Sequence, residues 1–324
     1  MAQKKKKKKA NDRSPSEPLS SSLLKVVFGV FLLLLIVIGT AWLANRYLAP
    51  GDVDLSPKIG DATKPASTEA QHPKITYEIY PAEDKTPRVP STHPVPDPNR
   101  RPRIAIIVDD LGYDFKTAEQ FLSMDANWTF SILPHSPFGK KIAAAAEGKH
   151  LEIMLHLPME PEEYPKVDPG PGTLLVNMGP DRLISELNRD LDFLPGIKGV
   201  NNHMGSKMTA NSTQLYQIFS NLKKRNLYFV DSRTTTRTLC EPSAKLFRVP
   251  FASRDVFLDH VPEDGFIRKQ IRLLVKTAQR RGYAVGIAHP HRTTLDVLRD
   301  EIGRIKDLAD IVPASQIVRV DGST

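Results

Sequence analysis

From Arg103 onward the sequence alternates short, continuous apolar runs with longer segments whose apolar residues recur at helical spacing. That alternation leaves few folds open. RIAIIVDD, WTFSILPHS (128–136), LEIMLHLP (151–158), GVNNHMGS (199–206), LYFVDSR (227–233), FRVPF (247–251), YAVGIAHPH (283–291) and SQIVRV (315–320) each read as a strand buried on both faces and followed by a polar turn. Between most of them lie the helix-period segments TAEQFLSM, SPFGKKIAAAAEG, PDRLISELNRDLDFL, STQLYQIFSNLKKRN, IRKQIRLLVKTAQRRG and TTLDVLRDEIGRIKDLA. Gly148 and Gly282 stand just past two helices with basic residues in the last turn, and Ser212 is placed as an N-cap. Strand alternating with helix predicts parallel βα units, arranged as a barrel or as an open doubly wound sheet; periodicity alone does not choose.

The polar residues at the strand ends carry the functional reading. Asp109 and Asp110 follow IAIIV, and DDLGYD replaces any glycine-rich phosphate loop there, which argues against a nucleotide. A carboxylate at the mouth of a buried strand needs a cation, a donor or a metal to offset its desolvation, or else it caps the next helix. Successive residues at a strand end point to opposite sides, so one acid of the pair can bind a metal while the other takes a proton from water. His156 in LEIMLHLP and His203 in NNHMGS end two further strands. One aspartate and two histidines from three strand ends make a ligand set suited to zinc, with a position left for water. Asp231 and Arg233 in VDSR supply an ion pair closing the barrel, or an orienter of the base and a clamp on substrate. His289 in IAHPH titrates near neutrality and suits protonation of a leaving group; His291 and Arg292 read as rim or as the start of a helix. Asp255 and Asp259 either reach the same face or are turn carboxylates. His72, His93, His135, His150 and His260 are not expected to be ligands. Cys240, the only cysteine, reads as a small buried side chain, and no internal disulfide is available.

Charge and hydropathy divide the rest of the 324 residues. Residues 1–25 carry eight basic against two acidic side chains, most of the net +8, so the folded part is nearly balanced and nucleic acid is not an expected partner. Val26–Ala44 holds no charge over nineteen residues, with Trp42 and Tyr47 at its far end. At 1.5 Å per residue such a helix nearly crosses a hydrocarbon core of about 30 Å. The expectation is a basic cytoplasmic tail at 1–25, a transmembrane anchor at 26–46, and everything beyond on the periplasmic or extracellular side. A cleaved signal peptide is the competing reading, with only a weak Gly39-Thr40-Ala41 site for it. Residues 50–102 hold eleven prolines, so 47–101 reads as a flexible tether that reaches on the order of 100 Å or more when extended. The catalytic domain is then 102–324.

Taken in order, VDDLG, LHLPME, GVNNHMGS, VDSRTTT and GIAHPHRTTL resemble the divergent polysaccharide deacetylase family over about residues 101–320. The resemblance implies a distorted (β/α) barrel of about seven strands, of the glycoside hydrolase/deacetylase type. It also implies a divalent metal, most often zinc, and removal of N- or O-acetyl groups from a cell-wall or extracellular polysaccharide. By residue type and order it makes Asp109 the base, Asp110, His156 and His203 the metal ligands, and His289 the acid. The related carbohydrate esterases carry both metal histidines in one HxxxH or HxxxxH motif and have an RxP motif; here the histidines come from two strands and no RxP motif matching theirs is found. A protein of another class, a glycan-binding or scaffold protein that keeps the barrel and metal without catalysis, is the rival, and lack of a substrate-sized cleft would favour it.

Overall fold

In the computed structural model of the protein, residues 100–320 are described, together with the helical positions Leu33, Leu35, Val37 and Thr40. Apart from those four positions and Arg100 and Arg101 at the end of the tether, the expected tail, anchor and tether lie outside the described residues. Among the described residues no helix is long and apolar enough to cross a membrane.

The chain from residue 103 runs β1 (Arg103–Leu111), α1 (Phe115–Leu122), β2 (Thr129–Ile132), α2 (Gly139–Glu147), β3 (Glu152–Met159), α3 (Pro180–Phe193), β4 (Gly199–Met204), α4 (Ser212–Lys224), β5 (Tyr228–Asp231), α5 (Cys240–Phe247), β6 (Phe251–Ser253), β7 (Val256–Phe257), α6 (Asp264–Arg281), β8 (Tyr283–Ala288), α7 (Arg292–Leu308) and β9 (Asp310–Ile311). The sheet order is β6-β5-β4-β3-β2-β1-β8-β7, with β9 added beside β1, and the ladders are parallel. The two ends of this order are neighbours in sequence. Between β6 and β7, the Arg254 amide donates to the Asp231 carbonyl while the Asp255 amide donates to that of Val285. One bent segment therefore touches both edges of a sheet that curls into a half-barrel α/β fold of parallel strands.

Strand alternation sorts the core into two parts. Ile104, Ile106 and Val108 of β1 face the helices, in a cluster with Phe121, Leu187, Phe219 and Leu274. Ala105 and Ile107 face inward with Met154, Val230, Val285 and Ile287. Burying a side chain of this size contributes about 1.5–3 kcal/mol, so the doubly buried β1 anchors the fold. Val312, Ala314 and Ile317 join the inner cluster. They close the end at which the strands begin, because Ala314 donates to Thr129 Oγ1 and Ser315 to Glu152 Oε1, both at strand starts.

Several local expectations change. SQIVRV is not a strand: after Pro313 it forms a 3-10 turn at Ala314–Gln316 and a single antiparallel bridge from Arg319 to Phe251, because its apolar residues serve as the interior plug. FRVPF yields a strand only from Phe251, since the preceding residues complete α5, which periodicity did not reveal. Asn211, not Ser212, caps α4, its side chain accepting from the Gln214 amide. Gly282 ends α6 in the left-handed conformation as expected, but Gly148 stays right-handed and no basic residue lies in the last turn of α2. Cys240 is buried and unpaired with any other thiol.

Candidate functional site

β1, β3 and β4 deliver their polar residues to one place because their inward registers coincide. His156 lies opposite Asn201 in the β3–β4 ladder, and Gly199, Asn201 and His203 share a face of β4. Asp109 follows the inward set Ala105 and Ile107. Asp110 should then point outward, but its φ is 55°, a left-handed conformation that aspartate tolerates better than most residues. The pairing of β1 with β2 shifts register between Val108 and Leu111 at the same point. Both carboxylates therefore reach the same mouth, against the expectation of opposite sides.

Three atoms converge there. Asp110 Oδ1 stands 3.0 Å from His156 Nε2 and 2.9 Å from His203 Nδ1, and the two imidazole nitrogens are 3.1 Å apart. All three side chains are buried. Among the described residues the Asp110 oxygens have no hydrogen-bond partner beyond these imidazoles, so a buried carboxylate and two imidazole nitrogens face one another at close range. That is the environment a divalent cation relieves, and the donor set of one carboxylate and two imidazoles fits a first-row ion.

The neighbours fix how these groups present themselves. Asn201 Nδ2 donates to both oxygens of Asp109, at 2.8 and 3.0 Å, and Asn201 Oδ1 lies 2.9 Å from His156 Nδ1 and accepts from Ser131 Oγ at 2.6 Å. An ionised carboxylate only accepts, so the amide nitrogen must face Asp109 and the amide oxygen must face His156. His156 then carries its proton on Nδ1, and Nε2 keeps a lone pair aimed at the cluster. Asp109 Oδ2 is 3.8 Å from that same Nε2.

Across the mouth, His289 Nε2 is 4.0 Å from Asp110 Oδ2, and its Nδ1 is 2.9 Å from Asp259 Oδ1. Asp259 also accepts from the His289 amide and from Thr294 Oγ1, at 2.6 and 2.8 Å. The imidazole stacks on Phe257 with ring centroids 4.9 Å apart.

Titration separates the two acids. Burial pushes Asp109 above the usual carboxylate range, against the pull of His156 and His289. Burial acts on Asp110 as well, but His203 and His156 outweigh it and hold that carboxyl well below its usual value. Burial alone would lower His289, but the charge and hydrogen bond of Asp259, with Asp110 and Asp109 behind them, lift it to about 9. One acid stays ionised, the other is suited to take a proton, and the imidazole opposite holds one.

Asp231 and Arg233 do not line this cleft. The Asp231 carboxylate accepts from the Arg233 amide at 2.8 Å and from Thr238 Oγ1 at 2.9 Å, so it shapes the loop after β5. The buried guanidinium on this side is Arg254, which donates to the carbonyls of Ser232 and Arg233 at 2.7 and 3.1 Å. Burial, with Arg233 beside it, lowers Arg254 to about 10 against the pull of Asp231 and Asp109, and it remains a cation at neutral pH. Asn201 and Arg254 are the residues sequence reasoning missed. Asn201 was detectable by parity, two places before His203 on the same strand; Arg254 sits at a strand break that the sequence does not announce. Asp259 proves to be the partner of His289, and Asp255 instead binds Arg281 and the Val285 amide. His291 begins α7, as read.

Residues 106–318 match the family described as divergent polysaccharide deacetylase. The uncharacterized protein YibQ of Escherichia coli is 32% identical over 225 residues, 68% of this chain and 70% of its own length. An uncharacterized protein of Haemophilus influenzae is 27% identical over 217 residues, 67% of this chain and 77% of that protein. The crystal structure of an uncharacterized protein from Agrobacterium tumefaciens superposes with a TM-score of 0.66 at 25% identity, covering 68% of this chain and 91% of the other. Fold, strand-end residues and sequence agree: the chain belongs to the divergent polysaccharide deacetylase family.

Proposed function

We propose that the protein is a metal-dependent hydrolase that deacetylates a cell-wall or extracellular polysaccharide. The observation that carries this reading is the approach of Asp110 Oδ1, His156 Nε2 and His203 Nδ1 to within 3.1 Å of one another, with Asp109 on one side and His289 on the other. Asp110, His156 and His203 would hold the ion, which we take to be zinc. When bound, it supplies Lewis-acid polarisation of an acetyl carbonyl and makes water more acidic.

The protein's own groups do the proton work. Asp109, raised by burial and held in place by Asn201, accepts a proton from the attacking water. His289, fixed through Nδ1 by Asp259, gives the proton on Nε2 to the departing amine or alkoxide. Asp231, the Arg233 amide and Arg254 hold the adjoining loop rather than the reacting atoms.

Beyond the side chains the cleft encloses only about 30 Å³. An acyl head would enter such a space, which Met204, Thr234 and Phe257 also line, while the rest of the glycan stays outside it. The same narrowness favours a second reading, a glycan-binding or scaffold protein that keeps the metal without turnover. Acetate release from acetylated cell-wall fragments, measured with and without chelator, separates the two. Chelator-sensitive release that is abolished in Asp109→Asn supports the enzyme. Glycan binding without release in the metal-loaded protein supports the scaffold.

We further propose that 26–46 anchors the chain in the cytoplasmic membrane and that the catalytic domain lies outside it, in reach of such a glycan. A reporter fused at the C-terminus that is active only in the cytoplasm would overturn that arrangement.

A further inference from the structure

A second group of metal-type donors lies where α3 meets the exit of β2, and it shares no residue with the first. Glu186 and Asp190 are four apart on α3 and so lie on one face of the helix. His135, in the left-handed conformation at φ 55° beyond β2, brings its Nε2 to 2.8 Å from Asp190 Oδ1. One ligand atom from each of the three residues lies within 4.8 Å of the others.

Asp190 sets the requirement. Its side chain is 0% exposed, and Oδ2 has no hydrogen-bond partner among the described residues. The backbone of Gly172, at φ +82°, closes over the carboxylate so tightly that a Cβ there would come within 2.3 Å of Oδ1. A buried carboxylate with an unsatisfied oxygen needs a cation or a proton. The nearby guanidinium of Arg189 is turned to Glu186, at 3.3 Å, and is 62% exposed. Two carboxylates and an imidazole so close together, with one acid shut away from water, match the oxygen-and-nitrogen donor sets of first-row divalent ions.

We propose that His135, Glu186 and Asp190 bind a second divalent cation of the manganese or zinc class. Its ligands come from the β2–α2 loop and from α3, and Gly172 brings the long segment between β3 and α3 against one of them. The ion staples these three pieces together, a structural role independent of the chemistry at the first cluster.

The test is metal stoichiometry of the full-length purified chain, by equilibrium dialysis against micromolar Zn²⁺ or Mn²⁺ and elemental analysis. The expected values are two equivalents for the wild type, one for a His156→Ala, His203→Ala variant, and one for His135→Ala. None is expected when all three substitutions are combined. Glu186→Gln should weaken the site left in the His156→Ala, His203→Ala variant by at least tenfold. Circular dichroism on each variant, with His135→Gln as a gentler second substitution, separates lost binding from lost folding. If the His156→Ala, His203→Ala variant binds nothing below millimolar metal, the proposal is overturned, and His135 and Asp190 share a proton instead. It is equally overturned if that variant's binding ignores His135→Ala and Glu186→Gln. Failure of the first cluster is a separate result, read as absence of metal from His135→Ala.

Discussion

Asn201 and Asp109 are joined by a two-pronged contact, Nδ2 lying 2.8 Å from one carboxylate oxygen and 3.0 Å from the other. The oxygen of the same amide faces His156 Nδ1 at 2.9 Å. A single side chain thereby places the proposed base and sets the tautomer of a proposed metal ligand. Partners of this kind around metal ligands are worth about 10–100-fold in affinity or activity. Asn201→Ala should therefore weaken metal binding by roughly that factor in a competition titration with a chromogenic chelator. An unchanged affinity would mean that His156 does not need the amide to present Nε2.

His289 makes the pH dependence specific. Its folded value of about 9 lies above the ordinary imidazole value of 6.5, because Asp259 together with Asp110 and Asp109 outweighs burial. Held raised by Asp259, the imidazole is loaded as a proton donor at neutral pH, so the rate should fall as pH climbs into the alkaline range. The sign for stability is the same: the contribution is complete below the unfolded value and is lost as pH climbs through the folded one. Asp259→Asn removes the charge and leaves burial, so the alkaline limb should move to lower pH and the rate at neutral pH should drop. A pH–rate profile whose alkaline limb stays in place would remove His289 from the role of acid.

Metal at the first cluster should stabilise the fold, since the unfolded chain has no such site. An ion at 100 times its dissociation constant contributes about 2.7 kcal/mol. For a domain of this size that corresponds to roughly 5–10 °C in Tm. The shift should be seen on adding Zn²⁺ to chelator-treated protein, in a His135→Ala background so that only Asp110, His156 and His203 respond. It should vanish when His203→Ala is added. A shift that survives that substitution would place the stabilising ion elsewhere.

These expectations were legible in the sequence to the extent that local pattern controls them. Continuous apolar runs ending in Asp, His or Asn revealed the parallel strands and the end at which the chemistry gathers, because a polar group at the mouth of a buried strand needs an unusual environment. What the runs do not encode is backbone irregularity. The left-handed turn at Asp110 and the strand break at Arg254 decide which side chains enter the cleft, and both depend on ladder partners far away in the chain. The same limit hides the loop contacts of Asp231, whose carboxylate accepts from the Arg233 amide, and the approach of His135 to Asp190, which lies on α3 far along the chain. The plug at 314–318 looked like a strand because apolar residues filling a barrel end have no period of their own.

Gly199 offers a test of how the plugged end and the site communicate. It begins β4 on the same inward face as Asn201 and His203, and the ring of Tyr228 on β5 lies directly over it. A Cβ at 199 would come within 2.2 Å of that ring. The ring has little freedom to move, because Tyr228 Oη donates to Glu152 at 2.8 Å, and the same carboxylate oxygen accepts from Thr129 Oγ1 and the Ser315 amide. Overpacking of this sort costs about 1–3 kcal/mol, so Gly199→Ala should lower the midpoint of urea unfolding accordingly. Tyr228→Leu clears the ring at its own cost, and the two substitutions together should destabilise by less than the sum of each alone. Strict additivity would show that the strand shifts instead of pressing on the ring. In that case the displacement passes along β4 to Asn201 and His203, and metal affinity in Gly199→Ala, measured beside the unfolding curve, should fall as well.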